Sequence, residues 1–203
     1  MTRVKIYKRF ERFWHWMQAA LIILLALTGF EVHGSLSLFG FERAVHLHNL
    51  LAYGLLVLIV FAIFWHFTTG EWRQYLPTRK YLGAMVRFYL GGIFRDEPHP
   101  VKKTELSKLN PLQRLTYLAL KLFLIPLQVV TGLLYHQYNR LQDWSLFSGG
   151  VGPIALLHTV GSFLLLLFLI VHVYLTTTGH TPTSNIKAMV TGWEDLDAES
   201  DDP

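Results

Sequence analysis

The sequence predicts an all-α membrane protein, a single domain over residues 1–203 built as a bundle of four transmembrane helices. Three observations predict it. Of the 203 residues, 52% are hydrophobic and only 16% charged, and the mean hydropathy is positive. The apolar residues gather in four blocks, roughly Phe13 to Val32, Val45 to Phe67, Leu112 to Tyr135 and Pro153 to Thr177, each close to the ~20 residues that cross ~30 Å of hydrocarbon. Lysine and arginine outside those blocks are unevenly shared: five (Arg3, Lys5, Lys8, Arg9, Arg12) precede span one and eight lie between spans two and three, while the two short connections hold one each, Arg43 and Arg140. The bias places both termini in the cytoplasm of a bacterium and the short loops in the periplasm. It also accounts for the net charge of +4 with the lipid bilayer as partner and no nucleic acid.

Span one follows a basic start and ends in Thr28-Gly29-Phe30 without a small-x-small cleavage site, so it reads as a retained helix rather than a leader. Spans one and two are joined by a short loop. The only long connection, residues 68–110, carries Tyr81, Leu82, Met85, Val86, Phe88, Tyr89 and Leu90 at helical spacing among Arg79, Lys80 and Arg87, the pattern of a helix lying along the membrane interface. Asp96 to Pro100 breaks it. After span four, Gly179 to Pro182 ends the helix and opens a cytoplasmic tail, 179–203, whose stretch from Glu194 to Asp202 holds six acids and no base. Its composition suits a solvated strip or a docking strip for a basic partner. Cysteine is absent, which excludes protein-ligated iron–sulfur clusters, covalently attached haem, disulfides and thiol catalysis. Any redox centre in this chain must be held by histidine.

Histidines are placed where ligands would be needed. Val151 to Gly179 contains no Lys, Arg, Asp or Glu, yet it holds His158 and His172. At about 1.5 Å and 100° per residue, the second lies about 21 Å along the helix and within about 40° of the first, so both leave one face near opposite membrane surfaces. Ionisable groups inside a bilayer are costly and usually functional, and imidazole is a common ligand of metals, haem iron included. His15, in Trp14-His15-Trp16 at the cytoplasmic mouth of span one, matches the height of His172. His48, at the periplasmic end of span two, matches His158. His66 shares the His48 face and sits at the cytoplasmic end, where it competes with His15 for an inner site or lines a proton or quinone path. His33, His46, His99 and His136 read as interfacial or solvated. His180 offers either a surface role or a proton-transfer group. Gly29, Gly54, Gly132 and Gly161 thin the side-chain wall, as helix packing and a flat porphyrin both require.

Several of these stretches together resemble a known family. Trp14-His15-Trp16 with Leu27-Thr28-Gly29, then His48-Asn49, then Lys108-Leu109-Asn110-Pro111-Leu112-Gln113-Arg114-Leu115, and finally the His158/His172 helix resemble the bacterial di-haem cytochrome b561-type subunits. Element order and loop lengths are similar to the gamma subunit of membrane-bound formate dehydrogenase and to the cytochrome b subunit of thiosulfate reductase. Leu157 to Thr191, with His172-Val173-Tyr174 and Thr176 to Thr181, is most similar to the thiosulfate reductase branch. The resemblance implies two stacked haem b groups: an inner haem held by His15 and His172, and an outer one held by His48 and His158. It implies a quinone, menaquinone or ubiquinone, near the inner haem, with Asn110 and Gln113 beside its headgroup, although Pro111-Leu112 stands where the formate dehydrogenase branch carries small residues. The implied partner is a periplasmic iron–sulfur, molybdopterin or multihaem cytochrome subunit, and the chain would be the electron-transfer subunit of a membrane oxidoreductase complex. Two alternatives stay open: an anchor and conduit without its own quinone site, and a cytochrome passing electrons to a soluble acceptor.

Overall fold

Two helical hairpins facing each other across a gap form the membrane part of the molecule. The computed structural model describes residues 2–95, 97, 100–101, 108–141, 149–179 and 181–196. In chain order its elements are β1 (Thr2–Lys5), α1 (Arg9–Val32), α2 (Phe41–Thr69), α3 (Leu82–Leu90), α4 (Pro111–Ala119), a π turn (Leu120–Leu124), α5 (Ile125–His136), α6 (Tyr138–Leu141), α7 (Gly152–Thr176), α8 (Ser184–Thr191) and β2 (Trp193–Leu196). Short 3₁₀ turns occupy Glu71–Tyr75 and Gly92–Arg95. Four helices are long and apolar enough to cross a membrane: α1, α2, the continuous Pro111–His136 and α7. α1 and α2 each begin one turn before their apolar blocks, because the interfacial first turn continues the helix in a more polar setting, and the other two begin within a residue of theirs.

α1 packs along α2, and α5 along α7. Among the described residues, no helix of one hairpin packs along its length against a helix of the other. Side chains bridge that gap instead, with Phe30 meeting Phe163 at 5.6 Å between ring centres. The third span is not a regular helix. Pro126 has no N–H and its ring would crowd the carbonyl one turn back, and the π turn at Leu120–Leu124 immediately before it widens the helix where that strain falls.

Asn110 starts the third span. Its side chain accepts from the Gln113 N–H (2.8 Å), the Gln113 side chain accepts from the Asn110 N–H (3.0 Å), and Pro111 fills the first helical position, where a missing N–H is harmless. The helix in the long connection is shorter than its aromatic pattern, Leu82–Leu90, and Met85 on it is fully buried. The break expected at Asp96 to Pro100 falls largely outside the described residues, as do His99, His180 and the acids beyond Leu196.

The membrane part is all-helical, as the sequence predicts, and a short two-stranded pairing is added outside it near the two ends of the chain. Trp193–Leu196 is a strand, paired antiparallel with Thr2–Lys5 so that Arg3 faces Asp195 and Val4 faces Glu194. The first acids of the tail thus lie against the basic N-terminus, and Arg3 also sits over the Trp193 ring. Gly192 makes the closure possible. Its φ of +87° admits few other residues, its carbonyl accepts from the Ile6 and Tyr7 N–H groups, and an added Cβ would lie 2.7 Å from the Tyr7 carbonyl. Arg12 and Trp16 of α1 then donate to the Val190 and Met189 carbonyls of α8, tying this end of the bundle shut.

Candidate functional site

The two hairpins bring four of the sequence-derived histidines together in pairs. His15 of α1 faces His172 of α7 with ring centres 6.1 Å apart, and His48 of α2 faces His158 of α7 at 6.3 Å. Both pairs span the gap, one at the end bearing the termini, the other at the short-loop end. With metal–nitrogen bonds of about 2.0 Å and roughly 1.1 Å from nitrogen to ring centre, imidazoles on opposite sides of one metal sit about 6.2 Å apart. Among the described residues no cluster of three or more His, Asp or Glu is placed to hold a metal. Each pair could supply two imidazole nitrogens to a metal that brings its remaining donors with it, as the iron of a porphyrin does.

The surroundings of the short-loop pair are polar and specific. Thr28 and Thr131 each place a hydroxyl oxygen 3.0 Å from the Nδ1 of His48 and His158 respectively. The next residue in each case is glycine, and there a Cβ would stand 3.2 Å (Gly29) or 3.1 Å (Gly132) from the Cε1 of the same imidazole. Around His158 the helix is further stitched: Gln128 donates to the His158 carbonyl at 3.0 Å and to Ser162 Oγ at 3.1 Å, passing over Gly161, where a Cβ would meet its amide at 2.7 Å. Glu31, 4% exposed, accepts three backbone N–H bonds from Leu38, Phe39 and Gly40 at 2.7–2.8 Å. It thereby pins the loop that enters α2, the helix carrying His48.

Aromatic rings frame the other pair. Phe168 stacks on His172 at 5.7 Å and 12°, Tyr117 meets it edge-on at 6.5 Å, and Trp16 meets His15 edge-on at 5.2 Å. The Nδ1 of His15 is buried with no hydrogen-bond partner among the described residues.

His66 stands outside both pairs. Its Nδ1 lies 2.6 Å from the Ala62 carbonyl, its Nε2 lies 3.3 Å from the Tyr75 hydroxyl and 3.4 Å from Lys121 Nζ, and Trp14 and Trp65 cover its ring. Both ring nitrogens are engaged, so the geometry favours His15 over His66 as the partner of His172. Lys121, which charge counting across the loops passes over, lies with Nζ 3.3 Å from the centre of the Tyr75 ring and 5.1 Å from that of Trp14. Burial pushes the Tyr75 hydroxyl pKa well above its usual value.

Asn110 and Gln113 are occupied by the helix cap, and the Asn110 amide donates to the Tyr89 hydroxyl at 3.1 Å. Burial raises the Tyr89 pKa against that bond. Beneath them lies an ion cluster: Lys108 bridges Glu11 (2.7 Å) and Glu71 (3.5 Å), and Lys8 reaches Glu71 at 2.5 Å. Burial pushes the Glu71 carboxyl up, but the bond from Lys8 and the charges of Lys108 and Lys8 outweigh it and hold the group below the usual carboxylate range. The same bond to Glu71 raises Lys8 above its ordinary value, with burial opposing. The cluster joins the first turn of α1, the turn after α2 and the entry to α4.

Comparison with known proteins gives the family. Residues 6–192 match the family model described as prokaryotic cytochrome b561. The chain is 31% identical over 196 residues, 94% of its own length and 74% of the relative's, to the Escherichia coli (strain K12) protein named "Putative cytochrome YdhU". No solved structure matches it. The chain belongs to the prokaryotic cytochrome b561 family: it is a bacterial membrane b-type cytochrome of electron transfer, and its family binds b-type haem.

Proposed function

We propose that this b561 cytochrome carries two b haems, one between His15 and His172 and one between His48 and His158, and passes electrons between the quinone pool and a redox partner on the other side of the membrane. The observation that carries the reading is the pair of imidazole separations, 6.1 and 6.3 Å, repeated at two depths between hairpins whose helices do not pack along their length. When bound, the haems supply one-electron carriers whose potentials depend on axial ligands, burial and hydrogen bonds to those ligands. The histidines hold the iron and take no part in acid–base chemistry.

The excess of Lys and Arg at the end bearing the termini argues that this end is cytoplasmic and that the His15/His172 pair is the inner one. A menaquinone or ubiquinone headgroup exchanges electrons at this end and needs polar partners for its two oxygens. Tyr75, His66 and Lys121 lie together and offer polar groups to it, and Asn110 and Gln113 would have to exchange their capping bonds to join them. The short-loop end, with the His48/His158 pair, then faces the periplasm and an iron–sulfur, molybdopterin or multihaem partner subunit.

Two measurements test the reading. Reduced quinol analogues added to the purified chain should reduce its haems without any partner, and failure to do so would leave the chain an anchor and conduit. Replacing His66 by Ala should leave two haems per chain, whereas loss of one would move the inner ligand from His15 to His66.

A further inference from the structure

Resting on the outer-haem reading, we propose that the Thr28-Gly29 and Thr131-Gly132 dipeptides are a duplicated imidazole cradle that sets the tautomer, seat and basicity of the two outer ligands. The two copies lie on different hairpins, α1 serving His48 of α2 and α5 serving His158 of α7, and they agree in each element. Both hydroxyls are within reach of their own helix. Thr28 donates to the Leu24 carbonyl at 2.8 Å and Thr131 to the Leu127 carbonyl at 2.6 Å, each four residues back.

A hydroxyl has one proton. With that proton directed at the helix carbonyl, the oxygen facing Nδ1 at 3.0 Å is left to accept, so both imidazoles carry their hydrogen on Nδ1. The lone pair of Nε2 is then the one turned to the iron. The glycine that follows removes the Cβ that would press on Cε1, at 3.2 Å for His48 and 3.1 Å for His158. The Nδ1–Cε1 edge of the ring is thus held by the hydroxyl and given room by the missing side chain.

An acceptor on Nδ1–H draws the proton away from the ring and makes the imidazole a stronger donor to ferric iron. The cradle thus holds the outer midpoint potential below the value it would have without it. The inner pair lacks the device: His15 Nδ1 has no partner among the described residues, and rings rather than hydroxyls surround His172. Thr28 and Thr131 are positioning residues, since they act through the histidines.

The test is a redox titration of the purified full chain, following its two haem waves and the low-spin electron paramagnetic resonance signals, for Thr28→Val, Thr131→Val and the double variant beside Thr28→Ser and Thr131→Ser. Each valine variant should move one wave to higher potential, shift its resonance signal and leave the other wave in place. The double variant should move the same wave further, and the serine variants should match the unmodified protein. Two haems with unmoved waves in the double valine variant would overturn the proposal. If a valine variant sheds a haem, retention in the matching serine variant supports a need for the hydroxyl, and loss in both overturns it. A His48→Ala variant measured alongside separates the two levels: if it keeps two haems, the outer-site assignment itself fails, whereas loss of one haem with unmoved valine waves sinks the cradle alone.

Discussion

The two histidine pairs have almost the same separation and almost opposite surroundings. At the short-loop end, hydroxyls, missing side chains, the Gln128 amide and the Glu31 carboxylate fix each imidazole and the loop that feeds it. At the end bearing the termini, rings surround the pair and the fixing is done at a distance, by the ion cluster of Lys8, Glu11, Glu71 and Lys108 and by the β1–β2 closure. One pair is held by its immediate neighbours, and the other by the architecture around it. Under the proposed function, that difference suits a rigid site for electron exchange at one end and, at the other, an end that a quinone enters and leaves.

The sharpest way to break the comparison is to remove a ligand. His158→Ala should lose one haem of two and spare the inner one, and His172→Ala should do the converse, read by haem-to-protein stoichiometry; loss of both haems from either change would show that the pairs are not independent. A smaller effect is expected from the glycines. Gly29→Ala and Gly132→Ala should lower outer-haem occupancy, because the new methyl must displace the imidazole, and should leave the inner haem at full occupancy. Equal loss at both sites would mean general unfolding rather than a local push.

The ion cluster gives the mildest prediction. Glu71→Gln should destabilise the end bearing the termini by about 1.5–3 kcal/mol, the range for a hydrogen bond to a charged group, and leave the outer haem untouched. The pH dependence follows from the shifts. Glu71 is held below its ordinary 4.5, so its contribution is complete above that pH and is lost as pH falls through the lower folded value. Lys8 is held above its ordinary 10.5, so its contribution is complete below that pH and fades only as pH rises through the higher folded value. Thermal denaturation followed by inner-haem release should be flat between these limits. The acid limb should be shallower in Glu71→Gln, and an unchanged acid limb would remove Glu71 from the clamp.

What was legible in the sequence follows from periodicity. Blocks of about twenty apolar residues and a fixed rise per residue place four helices and give each histidine a depth and a face; depth pairs His48 with His158 and leaves His15 and His66 as the two candidates opposite His172. Contacts between helices carry no such period. The recurrence of Thr-Gly at 28–29 and 131–132 was the available signal for the cradle, but only the packed hairpins show that each serves a histidine of the neighbouring helix. Asn110-Pro111 followed by Gln113 has the spacing of a helix cap, and the structure uses those side chains as one. The β1–β2 pair escaped because acids in a terminal stretch resemble a solvated tail until the basic strand opposite them is known. The π turn beside Pro126 is likewise a property of the packed third span, which the apolar block around that proline does not specify.

Haem content is the most direct test of the central claim. A pyridine haemochrome assay on the purified chain should return two b haems per polypeptide, falling to one in His15→Ala, His48→Ala, His158→Ala or His172→Ala. A single haem in the unmodified protein, or two haems surviving the loss of any of these four imidazoles, would contradict it.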